Sequence, residues 1–111
     1  MDSYYKPEHL PKFAEIEKGS PELAAKFFAY YDAVFAEGAL TEREKALIAL
    51  AVSHAVQCPY CIDAYSQGCL EKGADLEQMT EAVHVACAIR GGASLVHGVQ
   101  MMEHVHRKSM S

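Results

Sequence analysis

The apolar residues of this chain recur mainly at intervals of three and four, the spacing of one face of an α-helix. Two segments show it, one at Leu23, Phe27, Tyr30 or Tyr31, and Val34, and the other at Leu76, Met79, Val83, Ala86 and Cys87. The stretch from Ala46 to Val52 is apolar nearly all round, which is typical of a central, buried helix. Long β-branched runs are absent from the sequence. The pattern therefore predicts an all-α protein.

Helix-start signals precede three segments: a Ser-Pro pair at 20–21, Thr41 with Glu44, and Asp75 with Gln78. Glycines suit the ends, at Gly38, Gly73, Gly91 and Gly92. Together these signals predict a compact bundle of five to six helices in one domain, residues 1–111. The expected helices lie near 12–18, 21–37, 41–57, 58–72, 75–89 and 93–106.

Aromatic residues crowd the predicted helix after Pro21, at Phe27, Phe28, Tyr30, Tyr31 and Phe35. One small bundle cannot hide so much apolar surface, and exposed apolar patches usually mark interfaces. The sequence therefore also predicts a homo-oligomer.

The formal charge of −5, from 10 basic and 15 acidic residues, argues against nucleic acid as a partner. The chain does not open on a basic segment followed by an apolar run. The longest apolar run falls far short of the roughly 20 residues that span a bilayer. We therefore expect a cytoplasmic protein without a membrane span. In that reducing compartment, four cysteines do not imply structural disulfides.

The clearest chemical signal is the Cys-Pro-Tyr-Cys sequence at 58–61. Pro59 breaks the preceding helix and suits the first position of a new one, which makes Cys58 the N-cap. Cysteines at this spacing lie within one turn, close enough to form a disulfide. The free amides and positive dipole end of a helix start favour the thiolate. This predicts a redox-active dithiol in preference to two buried cysteines without a role.

Three side chains are candidates for proton transfer at the thiols. His54 precedes Cys58 by four residues, and a helical hairpin about 57–58 would place it opposite Cys61, where it could act as base or proton donor. Tyr65 lies one turn past Cys61 on the same helix face. It is equally open that His54 is a histidine bonded to water or to the backbone, and that Tyr65 is a core tyrosine. Glu44 would lie far from the thiols in that hairpin, so capping is its favoured role.

A zinc site is the competing interpretation of the cysteines, because structural zinc takes four ligands. The next cysteine, Cys69, lies eight residues past Cys61, about 12 Å along a helix. It cannot share an ion with the pair unless another subunit contributes. We therefore expect no metal and no cofactor.

The stretch from Leu40 to Cys61, LTEREKALIALAVSHAVQCPYC, resembles the core of the carboxymuconolactone decarboxylase-like superfamily, on its alkylhydroperoxidase D (AhpD) side. The likeness continues through Gly73-Ala74, 81–83 and 88–92 and covers about two-thirds of the chain. Residues 57–61 and 89–98 also resemble a branch of peroxidase-like proteins associated with arsenosugar synthesis.

The resemblance implies an AhpD-like fold that assembles as trimers or hexamers, with residues 1–19 as an extension and 40–98 as the redox core. It also implies that Cys61 attacks a hydroperoxide and that Cys58 resolves the sulfenic acid as a disulfide. A dithiol or a lipoylated protein then reduces the disulfide.

The sequence departs from the family pattern at two proton-relay positions. Fully active members carry a histidine where Tyr65 lies and a glutamate where Ala46 lies. His54 occurs in other members as well. The sequence therefore predicts a thiol-dependent hydroperoxide reductase or disulfide oxidoreductase, with an activity weakened by these two changes. Two alternatives stay open: a non-catalytic dithiol protein that binds arsenic(III) or another thiophilic species, and a decarboxylase of the carboxymuconolactone type, which would not need the cysteines.

Overall fold

The computed structural model describes residues 5–110, and these form helices joined by short turns, without a strand. A 3-10 helix, Pro7–Lys18, is followed by four α-helices: α1 (Pro21–Phe35), α2 (Glu42–Ala55), α3 (Pro59–Glu71) and α4 (Leu76–Ser109). The predicted all-α class is therefore confirmed, with five helices in the described part of the chain.

The helix starts lie where the sequence signals place them. Thr41 and Glu44 form a capping box, in which the Thr41 hydroxyl accepts from the Glu44 amide at 3.1 Å and the Glu44 carboxylate accepts from the Thr41 amide at 2.8 Å. Asp75 and Gln78 form the same box at the start of α4. α1 ends at Phe35, before Gly38, because Ala36 takes an extended conformation. The Lys45 ammonium donates to the carbonyls of Val34, in the last turn, and of Ala36.

Two Schellman turns reverse the chain between the central helices. After α2, Gln57 takes a positive φ of 56° and the Cys58 amide donates to the Ser53 carbonyl at 3.0 Å. After α3, Gly73 takes a φ of 86° and the Ala74 amide donates to the Cys69 carbonyl at 2.9 Å. The second turn uses glycine, which adopts this conformation without a steric penalty.

Replacing Gly73 by alanine is therefore expected to lower the free energy of unfolding by about 1–2 kcal/mol. The loss comes from backbone strain alone, since an added Cβ would meet no atom within 4 Å. Gly68→Ala in the middle of α3 is the matched control and should stabilise the protein slightly through helix propensity. Urea unfolding of both variants tests the sign of each effect. Equal shifts would contradict the conclusion that Gly73 is needed for its left-handed conformation.

The core lies where α2 packs against α3 and α4. Leu50 and Cys69 are its most buried residues, at 2% and 0% exposure, beside Ala46 and Ala74. Partly buried side chains complete this layer: Leu47, Tyr65, Met79 and Val83. The central position predicted for α2 is confirmed, but its burial is one-sided, because Ile48 and Val52 are 49% and 52% exposed.

One sequence prediction about α4 is wrong. The Gly91-Gly92 pair was expected to break the chain, but α4 continues through it to Ser109. Glycine lowers helix propensity, yet it keeps its N–H and lacks the ring clash of proline, so the hydrogen-bond ladder continues. The Arg90 guanidinium donates to the Ala55 carbonyl at 2.8 Å and fastens the proximal half of α4 to the end of α2.

The predicted compactness fails for the same reason. The radius of gyration is 19.4 Å, and the longest extent is 61 Å. A compact domain of this length has a radius of gyration of about 13 Å.

Among residues 5–110, α4 is also the single helix that is long and apolar enough to cross a membrane, judged by length and composition alone.

Candidate active site

The turn after α2 delivers the two cysteines to the first turn of α3. Cys58 is the N-cap, Pro59 opens the helix and Cys61 is its third residue, as the sequence predicts. The Cα atoms of Cys58 and Cys61 lie 5.2 Å apart, and the two sulfurs are joined as a disulfide. The pair can therefore cycle between dithiol and disulfide without moving the backbone far.

The backbone of the α3 start acts on the two sulfurs unequally. The Cys61 amide donates a hydrogen bond to the Cys58 sulfur at 3.2 Å. In the reduced protein this donor, together with the positive end of the helix dipole, favours a thiolate at Cys58. A stabilised thiolate is also a better leaving group in thiol–disulfide exchange. Cys58 is therefore the sulfur that leaves most easily when the disulfide is opened.

Two cavities reach the disulfide. The larger, which we call the dithiol cavity, has a volume of about 590 Å³ and lies between the 3-10 helix, α1 and α3. Both Cys58 and Cys61 line it. The smaller, of about 430 Å³, lies along the exposed side of α2 and is called the α2 groove. Cys61 lines this one too, so this residue borders both cavities.

Tyr65 shares both cavities with Cys61, as the position one turn along α3 predicts. Its ring stacks on Phe35 of α1, with centroids 5.4 Å apart. Tyr31 also lines both cavities, and burial raises the pKa of its hydroxyl above the ordinary tyrosine value. Three residues of the α1 aromatic cluster, Phe27, Tyr31 and Phe35, thus line the site, and the interface predicted for the cluster stays a prediction.

His54 lies in a different groove. Its ring nitrogen Nδ1 is 2.8 Å from the Leu50 carbonyl, and the side chain lines a shallow groove together with Gln57 and Pro59. The hydrogen bond to Leu50 makes Nδ1 the donor and leaves Nε2 free to exchange a proton. The role of His54 at the thiols stays a prediction.

Glu44 is occupied by its capping box at the opposite end of α2, which is the role that the sequence favoured. Hydrogen bonds from Thr41 lower the pKa of its carboxyl group. The neighbouring Glu42 forms the ion pair with Lys72, at 2.8 Å, and Lys72 lowers the pKa of Glu42. Both carboxylates at the start of α2 are therefore engaged away from the cysteines.

The N-terminal segment contributes to the site, which the sequence did not reveal. The Tyr5 hydroxyl donates to the Asp63 carboxylate at 2.5 Å, and its ring meets the edge of Tyr60. This hydrogen bond raises the pKa of Tyr5 to about 12 and lowers the pKa of Asp63. The 3-10 helix beyond it lines the dithiol cavity with His9 and Lys12.

The remaining cysteines take no part in this arrangement. Cys69 is buried in the core, and desolvation raises the pKa of its thiol. Cys87 is free and exposed on α4. Within residues 5–110, no cluster of three or more His, Cys, Asp or Glu side chains is placed to hold a metal ion.

The fold and this site define a class: small all-helical proteins that carry a vicinal cysteine pair at the start of a central helix. The chain belongs to the carboxymuconolactone decarboxylase family, whose sequence model matches residues 21–104. The match begins at α1, so the 3-10 helix that lines the dithiol cavity lies outside it.

Relatives support the same placement. The chain is 40% identical over 91 residues to a Paracoccus denitrificans protein called uncharacterized protein 4 in the cox locus, covering 82% of each. A solved structure from Methanobacterium thermoautotrophicum has 37% identity and a TM-score of 0.74, over 78% of this chain and 97% of that one. A carboxymuconolactone decarboxylase family protein from Legionella pneumophila, solved in its apo form, has 33% identity and a TM-score of 0.69, over 86% of each.

A third solved structure shares the fold alone. This family member from Thermotoga maritima, with a suggested part in an antioxidative response, is 23% identical with a TM-score of 0.56, over 90% of this chain and 97% of that one.

Proposed function

We propose that the protein is a thiol-dependent hydroperoxide reductase and disulfide oxidoreductase. The observation that carries the proposal is the bonded pair Cys58–Cys61 at the start of α3, open to an aromatic-lined cavity. Family membership supports an enzyme, and the dithiol supports the redox class of its chemistry. The proposed setting is the cytoplasm, where a cellular thiol system supplies electrons.

The proposed reaction has three steps. The Cys61 thiolate attacks the terminal oxygen of a hydroperoxide, the O–O bond breaks, and an alkoxide leaves while Cys61 becomes a sulfenic acid. The Cys58 thiolate then attacks the Cys61 sulfur, which forms the disulfide and releases hydroxide. An external dithiol, free or on a lipoylated protein, attacks Cys61 and leaves as its own disulfide, while two electrons and two protons return to the pair.

The division of labour follows from access and hydrogen bonding. Cys61 lines both cavities, so peroxide and reductant can reach its sulfur. Cys58 accepts the Cys61 amide hydrogen bond, which suits the resolving sulfur and the leaving group of the last step. The alkoxide needs a proton, and Tyr65 is the candidate donor that shares both cavities with Cys61. His54 is proposed to carry protons between the start of α3 and solvent.

A stoichiometric peroxide pulse tests the proposal. The reduced protein is mixed with one equivalent of an alkyl hydroperoxide, quenched with an alkylating agent and mapped by mass spectrometry without reduction. We expect rapid loss of two hydrogen atoms, localised to a Cys58–Cys61 disulfide. Cys87 provides the internal control, since it is exposed but lines neither of the cavities that reach the pair. Oxidation of Cys87 at the same rate as the pair would contradict the proposal.

A second candidate function is retention of a thiophilic species such as arsenic(III) on the two sulfurs. It is favoured by the engagement of Glu42 with Lys72 and of Glu44 with Thr41, because binding needs thiolates but no proton relay. Arsenite titration of the reduced protein separates the two functions. Stoichiometric binding without peroxide consumption would favour this candidate, and the absence of thiol-dependent binding would remove it.

A further inference from the structure

The two cavities at the disulfide meet at shared lining residues. Tyr31, Cys61 and Tyr65 line both the dithiol cavity and the α2 groove. A chain-like molecule that passes Cys61 can therefore place one end in each cavity. The volumes of about 590 and 430 Å³ lie within the roughly 300–1,000 Å³ of pockets that hold small organic ligands. A water molecule takes about 30 Å³, so hydrogen peroxide would leave both cavities almost empty.

The α2 groove suits an apolar end of such a molecule. Its walls include Val34, Ile48 and Val52, which are 41%, 49% and 52% exposed. The Lys45 ammonium also lies in the lining, but it is engaged by two backbone carbonyls at the end of α1. The Ser53 hydroxyl donates to the carbonyl one turn back in α2 at 2.6 Å. The groove therefore gains stability by covering its apolar walls, while its lysine and its serine already have partners.

The dithiol cavity offers an unpaired cation instead. A 3-10 helix has three residues per turn, so side chains three positions apart lie in one row. His9 and Lys12 form one row, called the basic row below, Leu10 and Phe13 form the next, and all four line the cavity. Among residues 5–110, no side-chain hydrogen bond or ion pair engages His9 or Lys12, and no acidic side chain lines this cavity. An anionic group can therefore bind the basic row without displacing a partner.

Two sets of contacts hold the basic row beside the disulfide. On its N-terminal side, Tyr5 donates to Asp63 of α3, and its ring meets the edge of Tyr60. On its C-terminal side, the ring of Phe13 meets the ring of Phe28 in α1, with centroids 5.2 Å apart. The basic row is therefore fastened on both sides to the helices that form the rest of the cavity.

We propose that the substrate is an aliphatic hydroperoxide with a free carboxylate at one end and the O–O group in mid-chain, as in a fatty acid hydroperoxide. The carboxylate binds the Lys12 ammonium in the basic row, the apolar tail lies in the α2 groove, and the O–O bond lies at Cys61. The Cys61 thiolate gives an electron pair to the terminal oxygen, the O–O bond breaks, and the remaining alkoxide takes a proton to become a hydroxy acid. This inference rests on the proposed function and names its substrate class.

A phospholipid hydroperoxide offers the same chemistry, since it joins an anion to an oxidised acyl chain. It carries a second acyl chain and a glycerol backbone as well. The two cavities provide for one anionic end and one apolar tail, with Cys61 between them. This arrangement favours the free acid.

The first experiment compares matched hydroperoxides, with the uncharged dithiol dithiothreitol as donor. A mid-chain hydroperoxide of linoleic acid should be reduced with a kcat/KM about three- to tenfold above that of its methyl ester, which lacks the charge. Lys12→Gln should remove this preference, Lys12→Arg should keep it, and added salt should weaken it. Lys18→Gln is the matched control and should keep the preference, because Lys18 pairs with Glu15 in the same 3-10 helix and lies outside the cavity lining.

The second experiment tests the place of the tail. A hydroperoxy acid that ends at the carbon bearing the O–O group should be reduced with a kcat/KM at least about tenfold lower, because it has no methylene groups to bury in the α2 groove. Val52→Asn should narrow this difference at least about threefold. Val85→Asn makes the same change at a 60% exposed position of α4 outside both linings, and should leave the difference as it is.

Three results would overturn the substrate class while the peroxidase function stands. One is an equal kcat/KM for the acid and the ester in the original protein. Another is an equal loss for both in Lys12→Gln. The third is faster reduction of phosphatidylglycerol hydroperoxide in vesicles than of the free acid.

Binding without turnover separates this inference from the proposed function. The oxidised protein should bind linoleic acid, below its micelle concentration, about three- to tenfold more tightly than methyl linoleate, and Lys12→Gln should remove the difference. If no hydroperoxide is consumed but this preference is found, the proposed function falls and the carboxylate site stands. If the preference in binding is absent, the inference falls.

Discussion

Replacing Cys61 by serine is expected to abolish dithiol-dependent hydroperoxide consumption, with a loss of about 10³-fold or more. Serine keeps the size and the position of the side chain, but its hydroxyl is not ionised near neutral pH and does not attack the peroxide oxygen as a thiolate does. The measurement is peroxide removal with a small dithiol as electron donor, at equal folded-protein concentration.

Cys58→Ser is the matched variant, since it removes the other sulfur of the same turn. A single turnover should still break the O–O bond, because Cys61 is intact. The reaction should then stop at the Cys61 sulfenic acid, seen as a gain of one oxygen atom and trapped by a dione reagent. Sustained turnover should fall strongly, because the resolving sulfur is gone.

The two variants also test which sulfur attacks. The hydrogen bond from the Cys61 amide favours a thiolate at Cys58, whereas access from two cavities favours attack at Cys61. If Cys61→Ser forms a trapped sulfenic acid at Cys58 and Cys58→Ser stays unoxidised, the proposed roles are reversed. Unchanged turnover in both variants would remove the redox function altogether.

Much of the fold was predictable because its signals are local. Thr41 with Glu44, Asp75 with Gln78, and Pro59 after Cys58 each define a helix start within four residues of sequence. The continuity of α4 was not predictable in this way, since Gly91 weakens a helix without forbidding it. The left-handed conformation of Gln57 was not predictable either, because glutamine rarely adopts it.

In the candidate site, too, the features set by local sequence were predictable and those set by tertiary contacts were not. The cysteine pair and the place of Tyr65 follow from spacing within one helix, where geometry is fixed. The position of His54 depends on the rotation of α2 against α3, which a hairpin argument does not determine. His9 and Lys12 line the dithiol cavity through a tertiary contact of the 3-10 helix, for which the sequence carries no periodic signal.

Replacing Leu50 by alanine is expected to give the largest loss of stability, about 2–5 kcal/mol of unfolding free energy. Leu50 is 2% exposed and lies in the cluster where α2 meets α3 and α4, beside Cys69. Truncation removes apolar contacts and leaves a cavity that two helix backbones prevent from closing. Urea unfolding at fixed chain concentration should show a midpoint lower by about 1–2 M.

Leu76→Ala is the control for the same chemical change on the surface, because Leu76 is 78% exposed at the start of α4. It should shift the unfolding free energy by less than about 0.5 kcal/mol. Similar losses in the two variants would mean that the α2 layer is not the core that supports the site. A selective loss at Leu50 would show that the helix leading into the Cys58 turn is held by this layer.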